Sequence, residues 1–204
     1  MAGFATANSW TPNVSVQWTD VTGWVTMWAP QQGPEITAAV LAQLQDALAK
    51  QATVFSSQYG FTDQGIADVM AEIGKADPAS RFLFDRSEYL GRYERPVVDG
   101  LIAQLQPDQW AIGTAPDGRD ILHSKLVVVL YPDGTGWSFS GSFNLSASAE
   151  REFNIADFIW SRTRAEAIAQ QIQTRLTWCR TNQPQPPEPD AATGDGQGRE
   201  EETE

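Results

Sequence analysis

Apolar and polar residues alternate over residues 23–29 (GWVTMWA), the period of a half-buried strand, and Pro30, Gly33 and Pro34 then mark a turn. The period next becomes helical: Ile36, Val40, Leu41, Leu44 and Leu48 fall on one face, with Pro34 and Glu35 in the first turn. Residues 53–61 (TVFSSQYGF) predict a second strand, and Thr62 the cap of a second helix with the face Ile66, Val69, Met70 and Ile73. A short strand over 81–84, a helix over 96–105 through Val97, Val98, Leu101, Ile102 and Leu105, and a short strand over 110–113 follow. Two strands, 121–131 and 137–142, flank the turn sequence Pro132-Asp133-Gly134-Thr135-Gly136, in which Pro presets φ and Gly permits a positive one. A last strand over 153–160 and a helix over 163–180, burying Ile168, Ile172, Leu176 and Cys179, close the pattern. The order β-α-β-α-β-α-β-β-β-β-α predicts a single α/β domain with a mixed sheet sandwiched between helices.

The two ends of the chain break this pattern. Residues 181–204 (TNQPQPPEPDAATGDGQGREEETE) are rich in Pro, Gly and charge and are expected to form a disordered acidic tail. Residues 1–21 are expected to form an N-terminal arm or strand, which leaves residues 22–180 as the folded domain. The formal charge of −12 argues against a broad basic surface for nucleic acid. Seven acids and one Arg from Glu188 onward carry −6 of it, so the body is only mildly acidic at −6. The aliphatic run Leu126–Leu130 is far short of the roughly 20 residues of a membrane-spanning helix, and MAGFATANSW does not read as a signal peptide. A single cysteine, Cys179, fits a reducing cytoplasm.

With one Cys and one His, zinc-type ligand sets are missing, as are Walker A, G-x-G-x-x-G and G-x-S-x-G motifs; no metal and no cofactor is expected. The chemistry gathers instead around His123 and Lys125, which share one face if they lie on a strand. Ser142 and Asn144 form a second i, i+2 pair at the end of the next strand, with Gly141 leaving room beside them. If the two strands pair, an imidazole, an ammonium, a hydroxyl and an amide converge. That set offers donors to the oxygens of a phosphoryl group and a nucleophile to its phosphorus.

The segments HSKLVVV and GSFNLSASAE resemble the phospholipase D superfamily, whose signature is H-x-K-x4-D followed by G-S-x-N or G-S-x-x-N. FSSQYGFTDQGIADVM and SRFLFDRS are similar to its second strand and helix and its third strand, so the resemblance covers about residues 22–178. It implies the phospholipase D/nuclease-type fold and a metal-independent phosphodiesterase passing through a covalent phosphohistidine. His123 would be the nucleophile, Lys125 and Asn144 would hold phosphate oxygens, and Ser142 would support them. The chain departs from the signature in two places. Leu130 stands where the motif Asp belongs, with Asp133 the nearest acid, and Asn154 aligns with a carboxylate that holds the histidine by its second nitrogen.

The superfamily reaction uses two histidines, one as nucleophile and one as acid, and this chain has one. The resemblance therefore implies a homodimer in which each subunit supplies His123 to a shared site. The expected substrate is a phospholipid or nucleic-acid phosphodiester. Arg81, Arg86, Arg92 and Arg95 are candidates for a cationic track for nucleic acid, with a solvated loop the favoured reading; Trp10, Trp18, Trp24 and Trp28 are candidates for an apolar lip for lipid, with buried core the favoured reading. The alternative is a degenerate module that binds phosphate-bearing ligands or scaffolds a partner without turnover.

Overall fold

In the computed structural model, which describes residues 18–114 and 121–186, seven strands form one sheet in the order β1-β7-β6-β5-β2-β3-β4. The strands are β1 (Gly23–Ala29), β2 (Thr53–Gln58), β3 (Arg81–Asp85), β4 (Trp110–Gly113), β5 (Lys125–Leu130), β6 (Gly136–Gly141) and β7 (Asn154–Trp160). The sheet is mixed: β2, β3 and β4 run parallel, and the pairs β2–β5, β5–β6, β6–β7 and β7–β1 are antiparallel. One end of the sheet therefore collects the C-terminal ends of β1, β2, β3, β4 and β6 with the N-terminal ends of β5 and β7.

Both faces are covered. On one lie α1 (Gly33–Ala49), α2 (Gln64–Ala76) and α4 (Glu94–Ile102), over a core that includes Ile36, Leu44, Met70, Phe82, Phe84, Val127, Val129 and Phe139. On the other, α5 (Arg162–Asn182) packs Ala165, Ala169, Ile172 and Leu176 against Leu83, Ala111 and Val128. β5, central and covered on both faces, accordingly reads as a continuous apolar run.

The sequence expectations hold for the order and type of these elements and shift at their ends. Asp63, not Thr62, caps α2, its carboxylate accepting the Ile66 N–H at 2.8 Å. Asp85 caps an unforeseen single turn, α3 (Arg86–Tyr89), and α4 begins at Glu94, two residues before Pro96. The proline sits in the first turn, where a missing N–H costs nothing. α5 reaches Asn182, and Gln183 and Gln185 hydrogen-bond Thr114 and Ile112 at the end of β4, so the chain stays attached past the expected boundary at Thr181. The expectations for residues 1–17 and 187–204, Trp10 and most of the acidic tail among them, lie outside the described residues.

The hairpin shows a more consequential shift: β5 starts at Lys125 rather than at Ile121. The preceding segment leaves the sheet because the Leu122 N–H is taken by the Asp85 carboxylate at 2.5 Å. Gly141 ends β6 where β7 passes closest, and a Cβ there would overlap the carbonyl oxygen of Ile155. Gly141→Ala is expected to destabilise the protein by about 1–3 kcal/mol, read as a lower urea midpoint at unchanged m-value.

Candidate active site

β5 lies between β2 and β6, so the loops leaving those two strands both cross its N-terminal end. They are tied to each other: Phe61 bridges Leu145, whose carbonyl accepts the N–H groups of Thr62 (2.9 Å) and Asp63 (3.1 Å). The Tyr59 N–H donates to the Ser124 carbonyl at 2.7 Å, which extends the β2–β5 ladder just past Lys125. This clasp sets the side chains of the predicted site.

His123 is off the strand and exposed, whereas Lys125, the first residue of β5, is only 3% exposed. His123 is thus not on the strand as expected, because β5 begins at Lys125. The two side chains nevertheless meet, at Tyr59. The His123 ring lies 4.6 Å from the Tyr59 ring, and the Lys125 ammonium stands 4.4 Å from the centre of the same ring. Lys125 Nζ also donates to the His123 carbonyl at 3.3 Å. Burial pushes the Lys125 ammonium down to about 8, against the attraction of Asp85 and Glu88. The Tyr59 hydroxyl is pushed up to about 12, first by its hydrogen bond to Glu88 and then by burial.

Asn144 is half-buried, and its Oδ1 accepts the N–H of Gly60, the residue after Tyr59, at 3.3 Å. Its Nδ2 therefore remains as the donor for a ligand. Asn144, Gly60, Glu88, Tyr93, Glu94 and Ser146 line a cleft of ≈ 470 Å³. Ser142 continues the β6–β7 ladder: its N–H donates to the Ile155 carbonyl at 3.0 Å and its Oγ accepts the Ile155 N–H at 3.1 Å. The hydroxyl proton is left to donate. Asn154 is buried, and its Nδ2 donates to the Ala149 carbonyl at 3.1 Å, so it secures the turn before β7. Among the described residues no hydrogen bond joins it to His123. Lys125, His123 and Asn144 thus gather around Tyr59–Gly60, with Ser142 and Asn154 on the β6–β7 side of the same end.

Other candidates fall elsewhere. Asp133 holds the hairpin turn at the opposite end of the sheet, accepting from the Thr135 N–H (2.8 Å) and hydroxyl (2.6 Å), and Leu130 packs against the core beneath α5. Of the four arginines, Arg86 and Arg95 line one cleft, and each of the four is engaged locally. Arg81 pairs with Asp108 and Arg95 with Asp99, Arg86 bonds the carbonyls of Ile112 and Pro184, and Arg92 lies over Tyr93. Trp24 and Trp28 are 64% and 45% exposed, against the expectation of a buried core. Sequence reasoning missed Tyr59, absorbed into a strand, and Glu94, which sits in Arg92-Tyr93-Glu94-Arg95 as if on a solvated face. The one available signal was an aromatic residue directly after the polar run Ser56-Ser57-Gln58 at a strand end.

No protein-family model and no curated protein sequence matches the chain. Solved structures do. Nuc from Salmonella typhimurium, a phospholipase D family member, superposes with a TM-score of 0.60 at 17% identity, over 76% of this chain and 95% of that one. NucT from Helicobacter pylori gives 0.54 at 15% identity, over 77% and 96%. Polyphosphate kinase from Porphyromonas gingivalis gives 0.56 at 11% identity, over 80% of this chain and 27% of the kinase. The fold is therefore the phospholipase D fold expected from the two short motifs.

A buried ammonium without a carboxylate partner favours anion binding at the expense of stability. Lys125→Met is accordingly expected to raise the melting temperature at pH 7 while abolishing binding of inorganic phosphate. The folded-state value lies below the ordinary lysine value, so the wild type regains stability between about pH 8 and 10.5, and the advantage of Met shrinks over that window. Calorimetry across pH checks the first effect and titration calorimetry with phosphate the second.

Proposed function

We propose that the protein is a metal-independent phosphodiester hydrolase acting through a covalent phosphohistidine at His123. The observation that carries this reading is the meeting of His123 and Lys125 on the Tyr59 ring, with Asn144 bonded to the next residue, at the open end of a phospholipase D fold. An exposed imidazole is free to attack. The Lys125 ammonium, Asn144 Nδ2 and the Ser142 hydroxyl supply donors for the charge that builds on the nonbridging oxygens.

In the proposed reaction a ring nitrogen of His123 attacks phosphorus, and the bond from phosphorus to the leaving alcohol oxygen breaks as that oxygen takes a proton. Water, losing a proton to the same acid–base group, then attacks phosphorus and breaks the P–N bond, which restores His123. With one histidine per chain, the acid–base group is the partner's His123, across a two-fold axis. Support for this face as the shared one comes from Leu90, Tyr93, Ile121 and Phe153, all exposed at the catalytic end, Phe153 by 79%. Lys125 remains charged up to about pH 8, so phosphate affinity is expected to fall above it.

The substrate is proposed as a phospholipid or nucleic-acid phosphodiester. The proposed compartment is the cytoplasm, on the strength of one buried cysteine; no helix of the described residues is long and apolar enough to cross a membrane. A second reading, a phosphate-binding module without turnover, is favoured by Leu130 in place of the motif Asp and by Asn154 serving the Ala149 turn.

Hydrolysis of a chromogenic phosphodiester in EDTA is the test. Turnover is expected to persist in EDTA and to fall roughly a thousandfold or more in His123→Ala; phosphate binding without turnover would establish the second reading. Sedimentation is expected to show a dimer, and Phe153→Asp with Tyr93→Asp to give a monomer with activity lowered at least tenfold. An active monomer would refute the shared site.

A further inference from the structure

Glu94 opens α4 yet is 3% exposed, with its carboxyl group facing the loop that follows β2. Oε2 accepts the Phe61 N–H at 2.9 Å, while Oε1 is fully buried with no hydrogen-bond partner among the described residues. Glu94 belongs to none of the described ion pairs. The groups around it are of the wrong sign to compensate a charge. Asp85 and Glu88 face it from the end of β3 and from α3, and Tyr59 faces it from the loop. On its own helix, Arg95 turns away to Asp99 and over the Tyr89 ring. Lys125 and His123 are at the Tyr59 ring.

The amide that Glu94 holds is next to the one that Asn144 holds. Phe61 N–H goes to Glu94, Gly60 N–H goes to Asn144 Oδ1, and both side chains line the same cleft. The approach at Gly60 is close: a Cβ there would stand 3.1 Å from Asn144 Cγ. Two side chains from separate elements thus grip consecutive peptide groups, and the Asn144 amide is oriented only as well as Gly60 is held.

Building on the phosphodiesterase reading, we propose that Glu94 is a positioning residue: it clamps the Phe61 amide and, through the Gly60–Phe61 peptide, keeps Asn144 Oδ1 on the loop and Nδ2 on the phosphate. The clamp works with the carboxyl protonated, Oε2 acting as the carbonyl acceptor and the proton residing on Oε1. Burial pushes this carboxyl up to about 8; the Phe61 N–H opposes the rise, and Glu88 and Asp85 add to it. Loss of the proton places a charge among two other carboxylates with one hydrogen-bond donor. The Phe61 N–H bond favours this charge, but Oε1 has no donor, so water drawn in to solvate it displaces the loop and loosens Gly60 from Asn144 and Tyr59 from Lys125 and His123. Above about pH 8 the site therefore loses phosphate affinity through two protons, one from Lys125 and one from Glu94.

The test is a pH titration of the ligand-free full chain by amide NMR, with inorganic phosphate affinity measured alongside. The Phe61 and Gly60 amide signals and the Asn144 side-chain NH2 signals are expected to titrate together near pH 8 in the wild type, and not in Glu94→Gln. The alkaline fall in phosphate affinity is expected to follow two protons in the wild type and one in Glu94→Gln. At pH 6.5, Glu94→Ala should weaken phosphate more than tenfold and Glu94→Gln, which keeps an acceptor for Phe61, distinctly less. A Phe61 titration that leaves the Asn144 signals unmoved overturns the proposal, as does the lack of any titration between pH 6 and 9.5. Coupled titration in a protein without phosphodiester turnover would uphold the clamp while sinking the hydrolase reading. The wild-type titration needs no variant and stands even where a substitution prevents folding.

Discussion

A buried, unpaired ammonium at the mouth of a fully covered strand is the constraint around which this end of the molecule is arranged. Lys125 is where it is because β5 must be apolar on both faces from Leu126 onward, and the first polar position of the strand falls at the rim of the core. Its charge is met by the Tyr59 ring and the His123 carbonyl, neither of which is an anion. Such a site is incomplete in electrostatic terms, which is what supports the anion-binding role proposed above. Exposed His123, Asn144 Nδ2 and the Ser142 hydroxyl surround the place where that anion belongs in the proposed mechanism.

Topology explains how a mildly acidic chain places a buried ammonium at one end of its sheet. Because β5 runs antiparallel to both neighbours, its beginning meets the ends of β2 and β6, and the loops leaving those strands close over it through Phe61 and Leu145. The acids nearby are each occupied or neutral. Asp85 caps α3 and holds Leu122, Glu88 accepts from Tyr59, and Glu94 carries its proton in the clamp proposed above. The proton on Glu94 takes one negative charge from this end of the sheet, while Asp85 and Glu88 attract the Lys125 ammonium.

Most of the sheet and its helices were legible from periodicity because the elements obey local rules: Asp or Ser at a helix start, an unbroken apolar run in β5. What periodicity misplaced was decided by side chains acting on distant backbone. Asp85 pulls Leu122 out of the hairpin and so takes His123 off the strand; no pattern in residues 121–125 encodes that. Glu94 sits between two arginines in sequence and is buried only because the loop after β2 lies over it. Trp24 was expected in the core because tryptophan usually is, yet it stays 64% exposed, its Nε1 bonded to Asp157 across the outer strand pair. His123, Lys125, Ser142 and Asn144, the residues proposed for the site, were legible as motif; Tyr59, which joins the first two, was visible only in three dimensions.

The central claim is that His123 carries the phosphoryl group between two half-reactions, and trapping that state tests it most directly. Rapid acid-free quenching during turnover of a 32P-labelled phosphodiester, followed by peptide mapping, should place an acid-labile, alkali-stable phosphate on the peptide containing His123. Sustained turnover with no label on that peptide, or undiminished turnover by His123→Ala, would contradict the account.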